Sequence, residues 1–147
     1  VLEELGELTF CKVAMRPGNP QTLGSIEGVP FFGLPGNPTS TYVGFEMFVR
    51  PALRLMQGFA ELDRPRVAAR LAHEVKKKPH RRYYLRARLD RTGDGYEVAL
   101  SGSQSSALLT AAHRGNCFMV LPEGESVFAE GESVECIRLD VEEGTPQ

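Results

Sequence analysis

The chain has 147 residues, a formal net charge of −2 and a hydrophobic fraction of 41%, so it can build the core of one ordinary domain or of two small ones. This charge favours neither a nucleic-acid partner nor an acidic surface, and Glu46, Arg50 and Arg54 interrupt the best apolar segment, which excludes a membrane span. No secretory signal is visible, and three widely spaced cysteines without a CxxC motif indicate reduced thiols in a cytoplasmic protein.

The first predicted elements are two strands, each of which leads into the tetrapeptide PGNP. Residues 9–15 (TFCKVAM) predict a strand before Pro17–Pro20, and the apolar run at 29–34 (VPFFGL) is typical of a parallel strand buried on both faces before Pro35–Pro38. An amphipathic helix is predicted next, because apolar residues fall at helical spacing (Tyr42, Phe45, Val49, Ala52 or Leu53, and Met56). We expect Pro51 to kink this helix and Gly58 to end it.

From about Arg64 the sequence changes to short alternating runs separated by turn residues. Asp94-Gly95 indicates a tight hairpin between YYLRARL and YEVAL, and CFMVLP and SVECIRL predict further strands. SALLTAAHR predicts one short helix, and the repeated pentapeptide EGESV predicts two turns beside short strands. We therefore predict an α/β part followed by an all-β part, with the two domains at residues 1–60 and 61–147. A buried parallel strand needs more covering elements than residues 1–60 supply, so we expect the α/β part to be truncated.

The second PGNP has the residues of a turn that opens a helix. Pro35 and Gly36 suit a type II turn with a positive φ at the glycine, Asn37 suits the N-cap, and Pro38 suits the first helical position. Free N–H groups and hydroxyl groups at such a helix start can bind an anion. A plain, well-capped strand-to-helix connection explains the same residues, and the pattern alone leaves both interpretations open.

The first PGNP follows a predicted strand that carries Lys12 and Arg16. Residues four apart on a strand share a face, so we expect both cations to project from the same side. No amphipathic helix follows this copy. The two copies are therefore predicted to share a turn and to differ in use, one displaying cations and the other opening a helix.

These segments, in this order, resemble the molybdopterin molybdenumtransferases, the MoeA family, which includes the gephyrin E domain. The resemblance is carried by KVAMRPGNP, FFGLPGNPTS and FVRPALRLMQG, and it continues in KKKPHRRYYLRARL, SGSQSS and GNCFMVLPEG, so it covers nearly the whole chain. It implies the C-terminal end of a MogA-like α/β domain followed by a small β-barrel-like C-terminal domain.

The resemblance also implies a function for the parent protein. Molybdenum from molybdate is inserted into adenylylated molybdopterin, AMP is released, and Mg²⁺ assists. A homodimer is implied, without a nucleic-acid or membrane partner. No catalytic residue is assigned. The substrate- or anion-binding residues implied by position are Lys12, Arg16, Pro35, Gly36, Asn37, Pro38, Ser40, Arg86 and Ser106.

This sequence departs from the family pattern in three ways. Arg16 stands where lysine is common, and Asn19 replaces the lysine of P-G-K-P. The glycine-rich segment whose aspartates bind the metal is expected upstream, so we expect no metal ligands here and no molybdenum insertion by these 147 residues alone. We further expect Arg86 to lie beside the cleft that contains the helix start at 37–40, either within one chain or across a dimer interface.

Two other interpretations fit parts of this sequence. A gephyrin-like scaffold or dimerisation module without transferase activity would keep the same fold. The basic segment KKKPHRRYYLRARLDR could contact nucleic acid, but the acidity elsewhere in the chain favours a solvated strand and loop.

Overall fold

A computed structural model describes residues 4, 6–102, 104 and 115–144 of the chain. Its strands are β1 (Glu7–Phe10), β2 (Met15–Arg16), β3 (Thr22–Ile26), β4 (Val29–Gly33), β5 (Arg66–Leu71), β6 (Val75–Lys76), β7 (Arg82–Thr92), β8 (Gly95–Leu100), β9 (Cys117–Leu121), β10 (Val127–Phe128) and β11 (Ser133–Arg138). Its helical segments are α1 (Pro38–Gly44), a π-helical turn (Phe45–Val49) and α2 (Arg50–Met56), which follow one another without a break. The predicted helix SALLTAAHR lies outside the described residues.

The N-terminal sheet is antiparallel, with the strand order β1-β3-β4. β3 and β4 form a hairpin whose two turn residues, Glu27 and Gly28, have φ values of 50° and 79°. A two-residue turn with positive φ at both positions joins antiparallel neighbours. The prediction of a parallel strand buried on both faces at 29–34 is therefore wrong, and Val29 is 65% exposed.

The predicted strand at 9–15 is interrupted. β1 ends at Phe10 and β2 begins at Met15, with a loop between them that is closed by Asn19. Val13 N donates to the Asn19 carbonyl oxygen at 2.9 Å, and Asn19 Nδ2 donates to the Val13 carbonyl oxygen at 2.7 Å. Lys12 lies in this loop, so the expectation that it shares a strand face with Arg16 is wrong.

The predicted helix is confirmed at 38–56, and Pro51 lies near the start of α2. The π-helical turn precedes this proline, and Arg50 N donates to the Phe45 carbonyl oxygen five residues back. Gly58 ends the helix as predicted. It has a φ of 81°, Gly58 N donates to the Leu55 carbonyl oxygen, and Phe59 N donates to that of Arg54, which is the Schellman arrangement.

The C-terminal part is a closed barrel. The order β7-β8-β5-β11-β9 closes because β9 also pairs with β7, and β2 joins the outside of β7 in parallel. The predicted β7–β8 hairpin is confirmed, with Gly93-Asp94 as its loop, one residue earlier than expected. An α/β part followed by an all-β barrel is thus the fold class predicted from the sequence.

The helix packs on the outside of the barrel through a second apolar core. Met15 and Val43 meet Phe118, Val120 and Ile137 there, whereas alternate residues of β9 face the barrel interior. The buried helix face therefore contains Val43, while Phe45, Leu53 and Met56 of the predicted apolar stripe are exposed. 

The three cysteines, Cys11, Cys117 and Cys136, are free, as predicted. Among the described residues, no helix is both long and apolar enough to cross a membrane.

Candidate functional site

A cleft of 810 Å³ lies between the start of the helix and the barrel. Five basic residues line it: Arg16, Lys76, Lys77, Lys78 and Arg86. Polar and aromatic residues complete the wall, namely Thr39, Ser40, Tyr83, Tyr84 and Gln104, beside Pro17, Val75, Leu85 and Leu100. None of the described residues that line the cleft is acidic. The cleft therefore has the electrostatic character of an anion-binding site.

Arg86 joins the barrel to the helix start. It is 2% exposed, and its Nη1 donates a hydrogen bond to Thr39 Oγ1 at 2.8 Å. The Gln104 side chain fixes the Arg86 backbone: Arg86 N donates to Gln104 Oε1, and Gln104 Nε2 donates to the Arg86 carbonyl oxygen, both at 3.0 Å. Burial lowers the pKa of the Arg86 guanidinium group from its ordinary value. The expected position of Arg86 beside the helix start is confirmed.

Arg16 reaches the cleft from β2. Its Nη1 donates to the Tyr83 hydroxyl oxygen at 3.3 Å, and its Cζ lies 5.5 Å from the centre of the Tyr83 ring. Arg16 itself is exposed. A cation at the mouth and a buried cation deeper in the wall thus face the same space.

The three lysines of the cleft differ in their surroundings. Lys77 Nζ donates to three carbonyl oxygens, those of Glu125, Arg81 and Lys78, at 2.8, 3.3 and 3.4 Å. Lys76 forms an exposed salt bridge of 2.8 Å with Glu74, and Lys78 is exposed. Lys77 is therefore occupied in holding its loop, whereas Lys78 is directed to solvent.

Asn37 caps the helix start as predicted, but the backbone N–H groups of the first turn donate to this cap instead of facing the cleft. Asn37 Oδ1 accepts from Thr39 N at 3.2 Å and from Ser40 N at 3.4 Å, and Pro38 has no N–H group. The Thr41 hydroxyl donates to the carbonyl oxygens of Pro35 and Asn37. The expectation of free backbone N–H groups at this start is wrong, and the hydroxyl groups of Thr39 and Ser40 are what it presents to the cleft.

The backbone at Gly36 also differs from the expectation. Gly36 is not among the glycines with positive φ, and a Cβ atom there would meet no atom within 4 Å. The predicted type II turn with positive φ at Gly36 is therefore wrong. Pro35, Gly36 and Asn37 form the connection behind the cleft rather than its wall.

The structure brings together three of the predicted site residues. Arg16, Ser40 and Arg86 line the cleft, whereas Lys12 is exposed outside its lining and Ser106 lies outside the described residues. Sequence reasoning missed Tyr83, Gln104 and the lysine run 76–78 as parts of one site. The lysine run was visible as a basic segment, but its place in a cleft depends on the paired strands β6 and β10.

A second depression, of 530 Å³, contains both signs of charge. Glu143 is paired with Arg50 and has its Oε2 3.4 Å from Arg54 Nη1. Beside the depression, Arg64 Nε lies 3.8 Å from Glu143 Oε1 and 3.1 Å from Glu46 Oε2. These arginines are balanced by carboxylates and connect the helix to the C-terminal segment. In the described part of the chain, no group of three or more His, Cys, Asp or Glu residues could hold a metal ion.

Comparison with known families accounts for most of the chain. Residues 68–139 match the family model described as the MoeA C-terminal region (domain IV), and residues 1–55 match the one described as a probable molybdopterin binding domain.

Relatives and solved structures agree with these matches. The chain is 37% identical over 131 residues to a molybdopterin molybdenumtransferase of Staphylococcus aureus (strain COL), and 41% identical over 142 residues to molybdopterin molybdenumtransferase 1 of Mycobacterium tuberculosis. These similarities cover 89% and 92% of this chain but 31% and 33% of the relatives, so the chain spans about a third of their length. A crystal structure of a molybdopterin biosynthesis MoeA protein from Pyrococcus horikosii is similar with a TM-score of 0.74 and 35% identity, over 93% of this chain and 33% of that one.

Proposed function

The chain belongs to the MoeA family, and we propose on this premise that it forms the C-terminal part of a molybdopterin molybdenumtransferase. The reaction is the insertion of molybdenum from molybdate into the dithiolene of adenylylated molybdopterin, with release of AMP. The observation that supports this proposal best is the cleft, because five basic residues and no described acidic residue line it. Molybdate and the phosphate groups of the pterin nucleotide are all oxyanions.

Arg16 and Arg86 are the residues that fit an oxyanion most directly. A guanidinium group donates several N–H groups in one plane, which suits two oxygens of a tetrahedral anion. Arg86 is held in place by Thr39 and Gln104, so it loses little conformational freedom when an anion arrives. Burial disfavours its charged form, and a bound anion would favour that form again.

The hydroxyl groups at the helix start add neutral donors beside these cations. Thr39 and Ser40 line the cleft, and both are buried. We propose that Ser40 donates to an oxygen of the anion while Thr39 keeps Arg86 directed at it. Lys12 and Ser106 remain proposed ligands from the family resemblance, and Pro35, Gly36, Asn37 and Pro38 act by shaping the helix start.

The described residues do not fit a Mg²⁺ ion at this cleft. Mg²⁺ prefers carboxylate and other oxygen ligands, whereas the described lining is basic. We therefore derive no step through Mg²⁺ from these residues, and we propose that its acidic ligands belong to a segment of the parent protein outside this chain.

A gephyrin-like scaffold or dimerisation module is the alternative, and an exposed apolar surface supports it. Leu53, Leu55, Met56 and Phe59 are between 44% and 69% exposed at the end of the helix. Such a patch is typical of an association surface, and we propose that it contributes to a homodimer of the parent enzyme. The free thiols agree with the cytoplasmic location that we propose.

The test is binding of molybdate and AMP, measured by calorimetry at constant ionic strength with the 147-residue chain and with the longer protein that contains it. Arg86→Gln should raise the Kd for molybdate about tenfold to hundredfold, because hydrogen bonds to a charged group are lost. Arg88→Gln is the matched control, since Arg88 lies on the same strand but pairs with Asp90 at the surface.

Equal Kd values for wild type and Arg86→Gln would contradict the proposal. Binding of neither probe by either protein, with a stable dimer in solution, would favour the scaffold.

A further inference from the structure

Arg16 and Tyr83 are neighbours on two strands from distant parts of the sequence. β2 pairs with β7 in parallel, with Arg16 opposite Tyr83. Arg16 contacts Tyr83 in two ways. Its Nη1 donates a hydrogen bond of 3.3 Å to the Tyr83 hydroxyl, and its Cζ lies 5.5 Å from the ring centre. Tyr83 is only 7% exposed. The exposed Arg16 cation at the cleft is therefore held by non-covalent contacts with the buried Tyr83 side chain.

The position of the Tyr83 ring is itself restricted. The ring packs in the barrel core, and Lys77 Nζ lies 5.3 Å from its centre. The same ammonium group donates to three backbone carbonyl oxygens, which uses the three donors that a lysine has. Tyr83 is thus held by the core and by a lysine that has little freedom to move.

A flexible arginine gains from such a partner. An arginine side chain loses much rotamer entropy when a ligand orders it, and less when it is ordered beforehand. The planar guanidinium group can contact the aromatic ring, donate to its hydroxyl through one nitrogen, and still present other N–H groups to an anion.

We propose that Tyr83 is a positioning residue of the cleft, which holds the Arg16 guanidinium group so that its remaining N–H groups face a bound oxyanion. The nature of this ligand rests on the proposed function.

The first test is a double-mutant cycle on molybdate binding with Arg16→Ala, Tyr83→Phe and the two combined. Tyr83→Phe keeps the ring and removes the hydroxyl group, and should raise the Kd about two- to tenfold. Arg16→Ala should raise it about tenfold or more. In the Arg16→Ala background, Tyr83→Phe should have no further effect, since the two changes remove one interaction. An equal loss in both backgrounds, or no loss from Tyr83→Phe alone, overturns the proposal.

The chain offers a matched control pair. Arg138 Nη1 donates to the Tyr96 hydroxyl at 3.3 Å, and Arg138 Cζ lies 5.6 Å from the Tyr96 ring. Neither residue lines the cleft. Tyr96→Phe should therefore leave the Kd for molybdate unchanged, and a loss equal to that of Tyr83→Phe would overturn a specific role for Tyr83.

A second measurement needs no ligand. The Nε–H resonance of Arg16 should shift in Tyr83→Leu, which removes the ring, and shift much less in Tyr83→Phe, while the backbone amide spectrum shows that both variants are folded. An Arg16 resonance that is unchanged in folded Tyr83→Leu overturns the proposal. If wild type binds no molybdate, the proposed ligand is wrong, and this resonance alone decides whether Tyr83 holds Arg16.

Discussion

The two copies of PGNP have the same four residues and opposite local structures. In the first, Gly18 has a φ of 91°, and Asn19 closes a loop by donating from Nδ2 to the Val13 carbonyl oxygen. In the second, Gly36 does not have a positive φ, and Asn37 caps a helix by accepting at Oδ1. The two asparagines therefore use opposite ends of the same amide group.

This difference shows that the flanking residues decide what the tetrapeptide does. After the second copy, a helix supplies N–H groups that need an acceptor. Around the first copy, the chain returns on itself between Val13 and Asn19, so a carbonyl oxygen needs a donor. The turn residues satisfy whichever group the neighbouring backbone leaves unbonded.

The largest expected effect is that of Gly18→Val. Valine would have to adopt a left-handed φ, and its Cβ would lie 2.6 Å from Gln21 Nε2 and 3.4 Å from the Ser40 carbonyl oxygen. We expect the free energy of unfolding in urea to fall by about 2–4 kcal/mol. Gly28→Val is the control for strain alone, because Gly28 has a φ of 79° with no atom within 4 Å of an added Cβ. Equal losses at the two sites would show that crowding against Gln21 has no cost.

The next largest difference is expected when the asparagine of each PGNP copy is replaced by aspartate and the losses of stability are compared. Asn19→Asp removes the donor and places a carboxylate beside the Val13 carbonyl oxygen, so it should cost about 1–3 kcal/mol of unfolding free energy. Asn37→Asp keeps the acceptor at the helix start, so it should change stability by less than about 0.5 kcal/mol. Both values come from urea unfolding at pH 7. Similar losses from the two exchanges would mean that the asparagines do not differ in use.

Among the glycine changes, Gly36→Val should have the smallest effect, about 0.5 kcal/mol or less, because no left-handed φ is required and the space beside Gly36 is open. A type II turn with a positive φ at Gly36 would give the opposite order, with Gly36→Val more destabilising than Gly18→Val. A loss from Gly36→Val that exceeds the loss from Gly18→Val would restore the sequence-based interpretation of this turn.

The elements that were predicted correctly have local signals. The helix has a cap, a proline at its first position and a glycine at its end, and the β7–β8 hairpin has a Gly-Asp-Gly turn. The hairpin of β3 and β4 also had a local signal in Glu27-Gly28, but the apolar run that follows resembles a buried strand. Periodicity cannot separate a buried parallel strand from an exposed antiparallel one when the run has only six residues.

The site was predictable only in part, for a similar reason. Arg16, Ser40 and Arg86 were found through the family resemblance, which contains positions but no distances. The role of Gln104 depends on the backbone groups of Arg86, which lie just before the β7–β8 pairing begins at Ala87. The three carbonyl oxygens around Lys77 come from two loops, the β6–β7 loop and the β9–β10 loop, and no pattern of side chains records where carbonyl oxygens meet. The division into residues 1–60 and 61–147 remains a prediction.

Every residue of β9 is buried, because Cys117, Met119 and Leu121 face the barrel interior while Phe118 and Val120 face the helix side. Cutting the chain near Gly58 would therefore remove the helix and leave Phe118 and Val120 as exposed apolar residues on the outside of the barrel. We expect such a fragment to self-associate through this surface. An isolated barrel would need polar substitutions at positions 118 and 120 to stay soluble. The point where the sequence changes from the helix to alternating strands is thus a poor site for proteolytic or engineered cleavage of the protein.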